Sequence, residues 1–509
     1  MMPAIHGFQL VIFTLAVSLG IFMNILDTSI ANVAIPTIAG NLAVSADQGT
    51  WVITSFTVSM AITVPLTGWL AKRFGEVRLF VLSTLLFSAA SLLCGLSNSL
   101  QMLVICRVIQ GVFAGPMIPL SQSLLYANYP AEERGLATSL WATVAVAAPV
   151  IGPVLGGYLT DNYSWPWIFY INVPVGIFSA YFTWKILRNR ETPITKQPVD
   201  YVGIILLIIS VGCLQIFLDQ GKDLDWFNSP TIIALSIISF VTLTLLIIWE
   251  LTAENPILDL KLFLQRNFTI GTIVISLGFL AYFGGIVILP LWLQTQMNYT
   301  PTWAGIATAP FGIVPLILSP FMAYIMKKID LRLLISIGFI FFSTCSFWIA
   351  SFNTGVNIQH IELIRFIQGA GISLFFIPTI ALFVSGLSPK DIASGSGLAN
   401  FLRILAGSVG TSIFVTVWSN RETFHQSRLV ENLTSYNSYV QQTMQHLHNL
   451  GAPDKTTYAI IMKTIINQSY MLATNDIFWI SGVIFCLLLA VVWLARPPFS
   501  TKSISHGMH

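Results

Sequence analysis

Long apolar runs separated by short polar connections occupy most of the chain. A helix that crosses the hydrocarbon core of a bilayer needs about 20 mostly apolar residues. Runs of this kind lie at 10–35, 50–71, 78–98, 101–126, 136–160, 167–188, 201–219, 231–250, 268–293, 302–326, 332–351, 361–385, 393–418 and 476–495. The pattern predicts an all-α integral membrane protein with fourteen transmembrane helices. The first run contains Asp27 and is too long for the apolar part of a signal peptide, so we expect it to be retained as a span.

Basic residues in the short connections predict the orientation. Nearly all of them lie on the side shared by the two termini, as Lys72 and Lys390 do, whereas the short connections of the opposite face carry only Lys222. Lysine and arginine are retained on the cytoplasmic side of membrane proteins. The sequence therefore predicts that both termini are cytoplasmic.

The composition fits a lipid environment. Of the 509 residues, 55% are hydrophobic and 9% are charged, whereas about 25% of the residues of a soluble domain are charged. The formal charge of +3, without any basic run, argues against nucleic-acid binding. The cysteines lie in apolar runs without metal-binding spacing, so we expect no disulfide, metal site or cofactor.

One short motif occurs twice in the chain. The segment Arg107–Gly111 (RVIQG) recurs as Arg365–Gly369 (RFIQG), and both copies begin a predicted span. The repeat predicts two six-helix bundles, 1–190 and 268–509, with two extra helices in 191–267 that lie outside the repeat and are expected to pack peripherally. Parallel halves with a substrate site between them are one known plan of secondary transporters.

Few ionisable residues lie inside the apolar runs, and each is costly in lipid. They are Asp27, Arg107, Arg365, Arg403 and, near a run's start, Glu362. At 1.5 Å per residue, Asp27 lies roughly 25 Å and Arg107 roughly 21 Å from the cytoplasmic face, so the two can pair. Glu362 is placed one turn before Arg365 and can pair with it.

The pair can be a static ion pair or a proton-binding site. Burial raises the pKa of a carboxylic acid and a neighbouring arginine lowers it, so such a site can respond to a cationic ligand or to water. We favour proton coupling for Asp27 and Arg107. Aligning Pro36 with Pro290 puts Ala281 opposite Asp27, so the second half lacks a matching acid.

Glycine and proline concentrate in the fifth run and in the connection between the second and third runs. Small residues let helices approach closely and prolines kink a span, so we expect a hinge or an interface in the fifth run and a latch in the connection. Ordinary membrane packing is the alternative. The residues concerned are Gly68, Arg73, Gly75, Arg78, Pro149, Gly152, Pro153, Gly156 and Gly157.

An adaptable substrate cavity would use flexible, aromatic and amide side chains. Packing in the core or against lipid explains each candidate equally well. The candidates are Met23, Phe56, Gln110, Trp141, Tyr282 and Gln368.

Five motifs, in this order, resemble the major facilitator superfamily, and specifically its fourteen-helix drug:proton antiporters of the EmrB type. Leu26–Pro36 resembles the first-helix motif L-D-x-T-x-x-N-V-A-x-P, and Gly68–Arg78 resembles the loop motif G-x-L-A-x-R-x-G. Arg107–Gly111 resembles the fourth-helix motif R-x-x-Q-G. Gly152–Gly157 resembles the antiporter motif of the fifth helix, and Trp167–Pro174 resembles the opening of the sixth.

The resemblance implies the major facilitator fold and proton-driven export of hydrophobic, often cationic or uncoupler-like, toxic compounds. It implies residence in a bacterial inner membrane and a tripartite assembly with a periplasmic adaptor of the EmrA kind and an outer-membrane channel of the TolC kind. It also implies that Asp27 and Arg107 occupy the proton and cavity positions. The same fold could instead export a dedicated substrate such as a siderophore or a lipid.

The region 419–475 is the one large polar stretch, and we expect a periplasmic loop there. It can be a passive loop, a folded cap or a hairpin that docks the adaptor. Metal binding by His425, His446 and His448 is not expected, because no acid or cysteine in the region completes a site.

Other functions lack their sequence signatures. The chain has no phosphate-binding G-x-x-x-x-G-K-[ST] loop for an ATP-driven pump. Its apolar runs offer no acid–base or metal cluster for a membrane enzyme and no filter sequence for a channel. We therefore expect a secondary transporter and not an enzyme.

Overall fold

A computed structural model describes residues 7–129, 134–192, 194, 200–254, 256–385, 387, 392–431, 433–434, 437–450 and 453–497. The regular structure of these residues is helical. The first part of the chain forms α1 Phe8–Asn41, α2 Ala46–Gly49, α3 Trp51–Thr63, α4 Thr67–Phe74, α5 Glu76–Gly95, α6 Leu100–Asn128, α7 Arg134–Asn162, α8 Trp167–Tyr170 and α9 Asn172–Leu187. The middle part forms α10 Tyr201–Gln220 and α11 Pro230–Thr252. The last part forms α12 Arg266–Thr295, α13 Pro301–Thr308, α14 Ile313–Lys328, α15 Leu331–Ile349, α16 Ile358–Val384, α17 Ile392–Glu431, α18 Ser438–Asn449 and α19 Asp454–Val492.

Each of the predicted apolar runs contains helix. Eleven helices among the described residues are long and apolar enough to cross a membrane, and twelve if the segment Ala46–Thr63 forms one span with Thr67–Phe74, at a bend of 60°. The other two predicted runs correspond to α7 and to α8 followed by α9. The count of fourteen spans, which depends on these last two, stays a prediction.

The two halves of the molecule contact each other through α1 with α12, α3 with α17, and α7 with α13 and α14. Glycine permits this close approach. A Cβ at Gly157 would overlap the backbone carbonyl of Pro301, and a Cβ at Gly305 would overlap that of Pro153. The fifth-run glycines therefore lie at a helix interface, which is one of the two roles expected from the sequence.

The same helix also packs closely on α1 within the first half. A Cβ at Gly152 would lie 2.6 Å from the Cβ of Ser29, and a Cβ at Gly156 would lie 2.8 Å from the carbonyl oxygen of Ile30. Because α7 contacts α1 on one face and α13 on another, it joins the interior of the first half to the second half.

Among the described residues, hydrogen bonds between the halves lie at one end of the bundle. This end holds the C-terminus of α1, and we call it the outer end. Gln294 Nε2 donates to the carbonyl oxygen of Val33 at 2.8 Å, and Thr302 N donates to Asp161 Oδ2 at 2.9 Å. Thr57 Oγ1 in α3 donates to Ser408 Oγ in α17 at 3.0 Å. The structure is therefore closed at the outer end.

The extra helices differ from each other in their packing. Helix α11 packs on α10 and leaves most of its side chains exposed, as expected for a peripheral helix. Helix α10, in contrast, contacts both α3 and α17. Helix α10 also leaves most of its residues incompletely buried, as expected for a peripheral helix, but it lies along the seam between the halves, where Gln215 and Asp219 form hydrogen bonds.

The polar region 419–475 is built of helices, as expected for a folded cap or a docking hairpin and not for a passive loop. Helix α17 runs on to Glu431, α18 covers Ser438–Asn449, and α19 begins at Asp454. The apolar runs mark only the parts of α17 and α19 that fit lipid, and both helices continue beyond them. The result is a helical hairpin that extends from the outer end.

One arginine and two histidines of this hairpin pair with aspartates. Asp476 Oδ2 lies 2.6 Å from Arg421 Nε and 2.7 Å from His425 Nε2, and Asp454 Oδ1 lies 2.9 Å from His448 Nε2. Helix α19 thus brings one carboxylate to each of His425 and His448. Among the described residues, no group of three or more metal-binding side chains comes together.

Candidate functional site

Asp27 is fully buried in the interior of the first half, on α1. Its Oδ2 forms an ion pair with Arg107 Nη1 of α6. Its Oδ1 accepts hydrogen bonds from Gln110 Nε2 at 3.1 Å and from Asn172 Nδ2 of α9 at 2.8 Å. Three helices thus meet on one carboxylate, and the pairing of Asp27 with Arg107 that the depths predict is present.

Arg107 is held by more than the carboxylate. Its Nε donates to the carbonyl oxygen of Val52 in α3 at 2.9 Å, and its Nη1 donates to Gln110 Oε1 at 2.7 Å. The guanidinium carbon lies 4.1 Å from the ring centroid of Phe56. Buried charges need such partners, because an uncompensated ion in a low-dielectric interior is costly.

The arrangement ties the packing of α1, α3, α6 and α9 to the charge of one carboxyl group. With Asp27 ionised, it is an acceptor of hydrogen bonds only and holds Arg107, Gln110 and Asn172. A proton on Asp27 would cancel the attraction to Arg107 and turn one carboxyl oxygen into a donor. The network can therefore convert proton binding into a change of helix contacts.

The second half contains the equivalent arginine without the acid. Arg365 is 3% exposed, and its Nη1 donates to Gln368 Oε1 at 2.6 Å. The expected pair of Arg365 with Glu362 is absent from the described residues. Glu362 lies on a partly exposed face of α16, whereas Arg365 points into the bundle.

The predicted cavity residues fall into two groups. Met23 and Phe56 are buried in the same apolar core, and Gln110 belongs to the Asp27 network. Tyr282 and Gln368 line a small cavity in the second half beside Arg365. A third position, Trp141, lies in α7, but its side chain is outside the described part of the structure. The two groups adjoin, because Tyr282 also packs against the apolar core that contains Met23 and Phe56.

The connection between the second and third runs is fixed by a residue that the sequence did not single out. Gly75 has φ of 90°, which favours glycine, and a Cβ there would overlap the carboxyl group of Glu191. Glu191 accepts hydrogen bonds from Val77 N at 2.9 Å and Arg78 N at 3.0 Å. The carboxylate therefore caps the first turn of α5, where the helix leaves its N–H groups unpaired.

The remaining motif residues have simpler surroundings. The Arg73 guanidinium lies 5.8 Å from the Trp69 ring centroid, and a Cβ at Gly68 would meet nothing within 4 Å. Pro149 lies in α7, but its side chain is outside the described residues. The glycine spacing in this connection thus has a structural reason at Gly75, and none is found at Gly68.

Asp219 is a second carboxylate of interest, and the sequence reasoning missed it. It accepts hydrogen bonds from Thr54 Oγ1 of α3 at 2.7 Å, from Gln215 Nε2 at 2.8 Å and from Ser412 Oγ of α17. One turn further on, Lys222 Nζ donates to Asp47 Oδ2 at 3.1 Å and to Ser419 Oγ. We call Gln215, Asp219 and Lys222 the seam clasp, because they bind both halves at the outer end.

Asn172 was missed for a different reason. It is buried, and it donates to Asp27 Oδ1 and to Ser91 Oγ, the latter at 3.0 Å. A neutral amide attracts no notice by charge, although an asparagine at the start of an apolar run is a usable signal. For Asp219, the signal was a carboxylate at the end of an apolar run with a glutamine one turn before it.

Comparisons with known proteins agree with one another. The family model described as the Major Facilitator Superfamily matches residues 17–411. The chain is 50% identical over 506 residues to the multidrug export protein EmrB of Escherichia coli (strain K12), which covers 99% of each chain. It is 47% identical over 504 residues to the fatty acid resistance protein FarB of Neisseria gonorrhoeae, again covering 99% of each.

Solved structures share the fold at low identity. The peptide transporter POT, in a mutant form in complex with sulfate, matches with a TM-score of 0.63 at 13% identity over 97% of each chain. The xylose transporter XylE from E. coli, in a partially occluded inward-open conformation, matches with a TM-score of 0.57 at 14% identity, covering 96% of this chain and 100% of the other.

Proposed function

The chain belongs to the major facilitator superfamily and is a multi-pass membrane transporter and not an enzyme, and we propose that it is a drug:proton antiporter that works by alternating access. One observation carries the proton-coupling part of the proposal. The buried carboxylate of Asp27 joins α1 to residues of α6 and α9, so its protonation would change how these three helices pack. The likeness to multidrug export proteins at 50% identity supports drugs as substrates.

Antiport requires that the site responds differently at the two faces of the membrane. In the closed outer-end state described here, Asp27 is shielded from water and paired with Arg107. Opening towards the outer side would hydrate the network and let a proton compete with Arg107 for the carboxylate. The transmembrane potential supplies about 2.3 kcal/mol per charge per 100 mV to such a cycle.

The test is drug-driven proton exchange in proteoliposomes under an imposed pH gradient, with ethidium as the drug. We expect Asp27→Asn to lose coupled exchange while it still binds ethidium, because the amide cannot exchange a proton. The matched control is Asp330→Asn, the same change at a carboxylate outside the spans that caps α15. Full coupling in Asp27→Asn would show that the exchanged proton does not bind this residue. Asp27 would then be only the structural partner of Arg107.

We propose the finer topology on the same basis. The apolar runs and the basic connections support fourteen spans with both termini cytoplasmic, a first bundle at 1–190, a linker with two helices at 191–267 and a second bundle at 268–509. The outer end then faces the periplasm of a bacterial inner membrane. A single cysteine in place of Lys222 should react with an impermeant maleimide added from outside. Protection of that cysteine would mean that the outer end faces the cytoplasm.

The hairpin of α17, α18 and α19 supports a place in a tripartite pump. It extends from the outer end, and α18 buries none of its residues, so a surface remains for a periplasmic adaptor of the EmrA kind that would lead to a channel of the TolC kind. Site-specific crosslinking from Tyr439, which is 79% exposed, tests this placement. Crosslinks to the adaptor from the opposite end alone would refute it.

A dedicated apolar substrate is the second candidate. A relative that shares 47% of its residues is named a fatty acid resistance protein, which favours a lipid-like acid over a siderophore. Competition between ethidium and a fatty acid in the same exchange measurement separates the two, since a dedicated carrier would transport the acid and not the drug.

A further inference from the structure

The repeated motif places an arginine, a glutamine and a phenylalanine alike in the two halves. Arg107 and Arg365 each donate from Nη1 to the glutamine three residues later, at 2.7 and 2.6 Å. The guanidinium of Arg107 lies 4.1 Å from the ring centroid of Phe56, and that of Arg365 lies 4.6 Å from the ring centroid of Phe311.

Even the backbone approach repeats. A Cβ at Gly111 would overlap the carbonyl oxygen of Phe56, and a Cβ at Gly369 would overlap that of Phe311. The two halves therefore surround the guanidinium with the same residues. The groups that lie opposite the guanidinium in each half can be compared directly.

The halves differ in the partner of that guanidinium. In the first half, Asp27 neutralises Arg107, and Val52 accepts from its Nε. In the second half, the position of the acid is taken by Ala281, and Arg365 Nε is buried without a hydrogen-bond partner among the described residues. None of those residues supplies a carboxylate that forms an ion pair with Arg365, so its charge lacks the compensation that a buried ion needs.

A cavity lies where the missing acid would be. Arg365 and Ala281 both line it, together with Tyr282, Ser346, Gln368 and Ser481. Because Gln368 uses its Oε1 to accept from Arg365, its amide N–H groups can donate into this space. The hydroxyl groups of Tyr282 and Ser346 and the amide N–H groups of Gln368 lie beside the guanidinium and can donate to a negative charge. The Ser481 hydroxyl already donates to the carbonyl oxygen of Ile477.

Arg403 is a second arginine inside the second half, and no acid among the described residues forms an ion pair with it. Arg403 of α17 donates from Nε to Asn400 Oδ1 at 3.2 Å, and its guanidinium lies 4.7 Å from the ring centroid of Phe279. That ring is 5.8 Å from the ring of Tyr282. The described interior of the second half thus carries one arginine that lines the cavity and a second that the ring of Phe279 separates from Tyr282. Both charges repel a cation and attract an anion.

We propose that this cavity, between Arg365 and Ala281, is a binding site for one small monovalent anion, an inorganic halide, since its free space is about that of a single water molecule. The anion would take the place that Asp27 holds in the first half and would accept from Arg365 Nε and Gln368. This site goes beyond the proposed antiport, which requires only a proton and a drug. It stands or falls independently of Asp27.

Binding is measured on the purified protein in nanodiscs, by calorimetry and by the midpoint of thermal unfolding, in gluconate buffer titrated with bromide or with the larger anion benzoate. We expect saturable binding and a rise in the midpoint with bromide and neither effect with benzoate. The absence of both effects with bromide, or equal effects of the two anions, would overturn the proposal.

The decisive variant is Ala281→Asp, which supplies the carboxylate from within, as the first half does. We expect it to fold and to unfold at a higher temperature in gluconate than the wild type. Its affinity for the anion should be at least tenfold lower than that of the wild type. Ala281→Ser, small and neutral, is the matched control and should keep the wild-type response. An Ala281→Asp protein with undiminished anion affinity would show that the anions act elsewhere.

Discussion

At the scale of residues, one carboxylate in the first half is held by several partners of different kinds. Arg107 supplies the compensating charge, whereas Gln110 and Asn172 supply neutral donors to Oδ1 of Asp27. Hydrogen bonds to an ionised carboxylate favour the charged form over the protonated one. The neutral partners therefore complete the hydrogen bonding of the ionised carboxylate without adding charge of their own.

Asn172→Ala tests this role. The variant loses one donor to the ionised form, and a hydrogen bond to a charged group contributes about 1.5–3 kcal/mol. We expect slower ethidium–proton exchange at unchanged ethidium affinity, because the carboxylate is held less firmly against Arg107. Asn41→Ala, at an exposed asparagine, is the control. An unchanged exchange rate with reduced protein stability would make Asn172 a packing residue only.

At the scale of elements, the helices are terminated and joined by side chains distant in sequence. Helix α5 begins after Gly75, and its first N–H groups are capped by Glu191, which comes from the segment that leads to α10. The connection between the second and third runs is thereby fastened to the entry of the extra helices. A latch at this point would act through the capping carboxylate.

Glu191→Ala removes the cap from α5. Loss of a helix cap costs about 1 kcal/mol, and the anionic cap also interacts with the positive end of the helix dipole. We expect a lower midpoint of thermal unfolding in detergent and slower transport if the latch assists closure. Glu254→Ala, at a glutamate in the connection after α11, provides the comparison. Equal midpoints for the two variants would contradict a capping role.

The elements also show where sequence reasoning reaches its limit. Apolar runs predict helices because the cost of an unpaired backbone in lipid leaves no other structure for a span. The contact of Asp27 with Arg107 follows from counting residues along two such helices. Polarity alone could not reveal that α17 and α19 continue as helices beyond the lipid. Nor could it reveal that Asp219, at the last turn of an apolar run, bonds to α3 and α17.

At the scale of the whole molecule, the seam clasp makes the extra helix α10 part of the closed outer end. Asp219 accepts from both Thr54 and Ser412, so one side chain of the linker binds both halves. These bonds must separate when the outer end opens. The helix pair between the halves is thus placed to influence the balance between closed and open states.

Asp219→Ala removes the shared acceptor of the clasp. Two lost hydrogen bonds at about 1 kcal/mol each favour the open outer end by roughly tenfold or more. We expect a cysteine at Thr57, which is 3% exposed, to react correspondingly faster with an impermeant maleimide in an otherwise cysteine-free protein. Asp223→Ala, whose carboxylate bonds to Gln48 of the first half, is the control. Unchanged labelling would exclude the clasp from gating.

The long helix α17 connects the inner part of the second half rigidly to the hairpin at the outer end. Its 40 residues span about 60 Å, about twice the thickness of the hydrocarbon core. Because the helix is uninterrupted from Ile392 to Glu431, tilting its inner part swings the outer part with it. A tilt of about 10° displaces a point about 30 Å away by about 5 Å. A protein bound to the hairpin would therefore be displaced each time the second half tilts in the transport cycle.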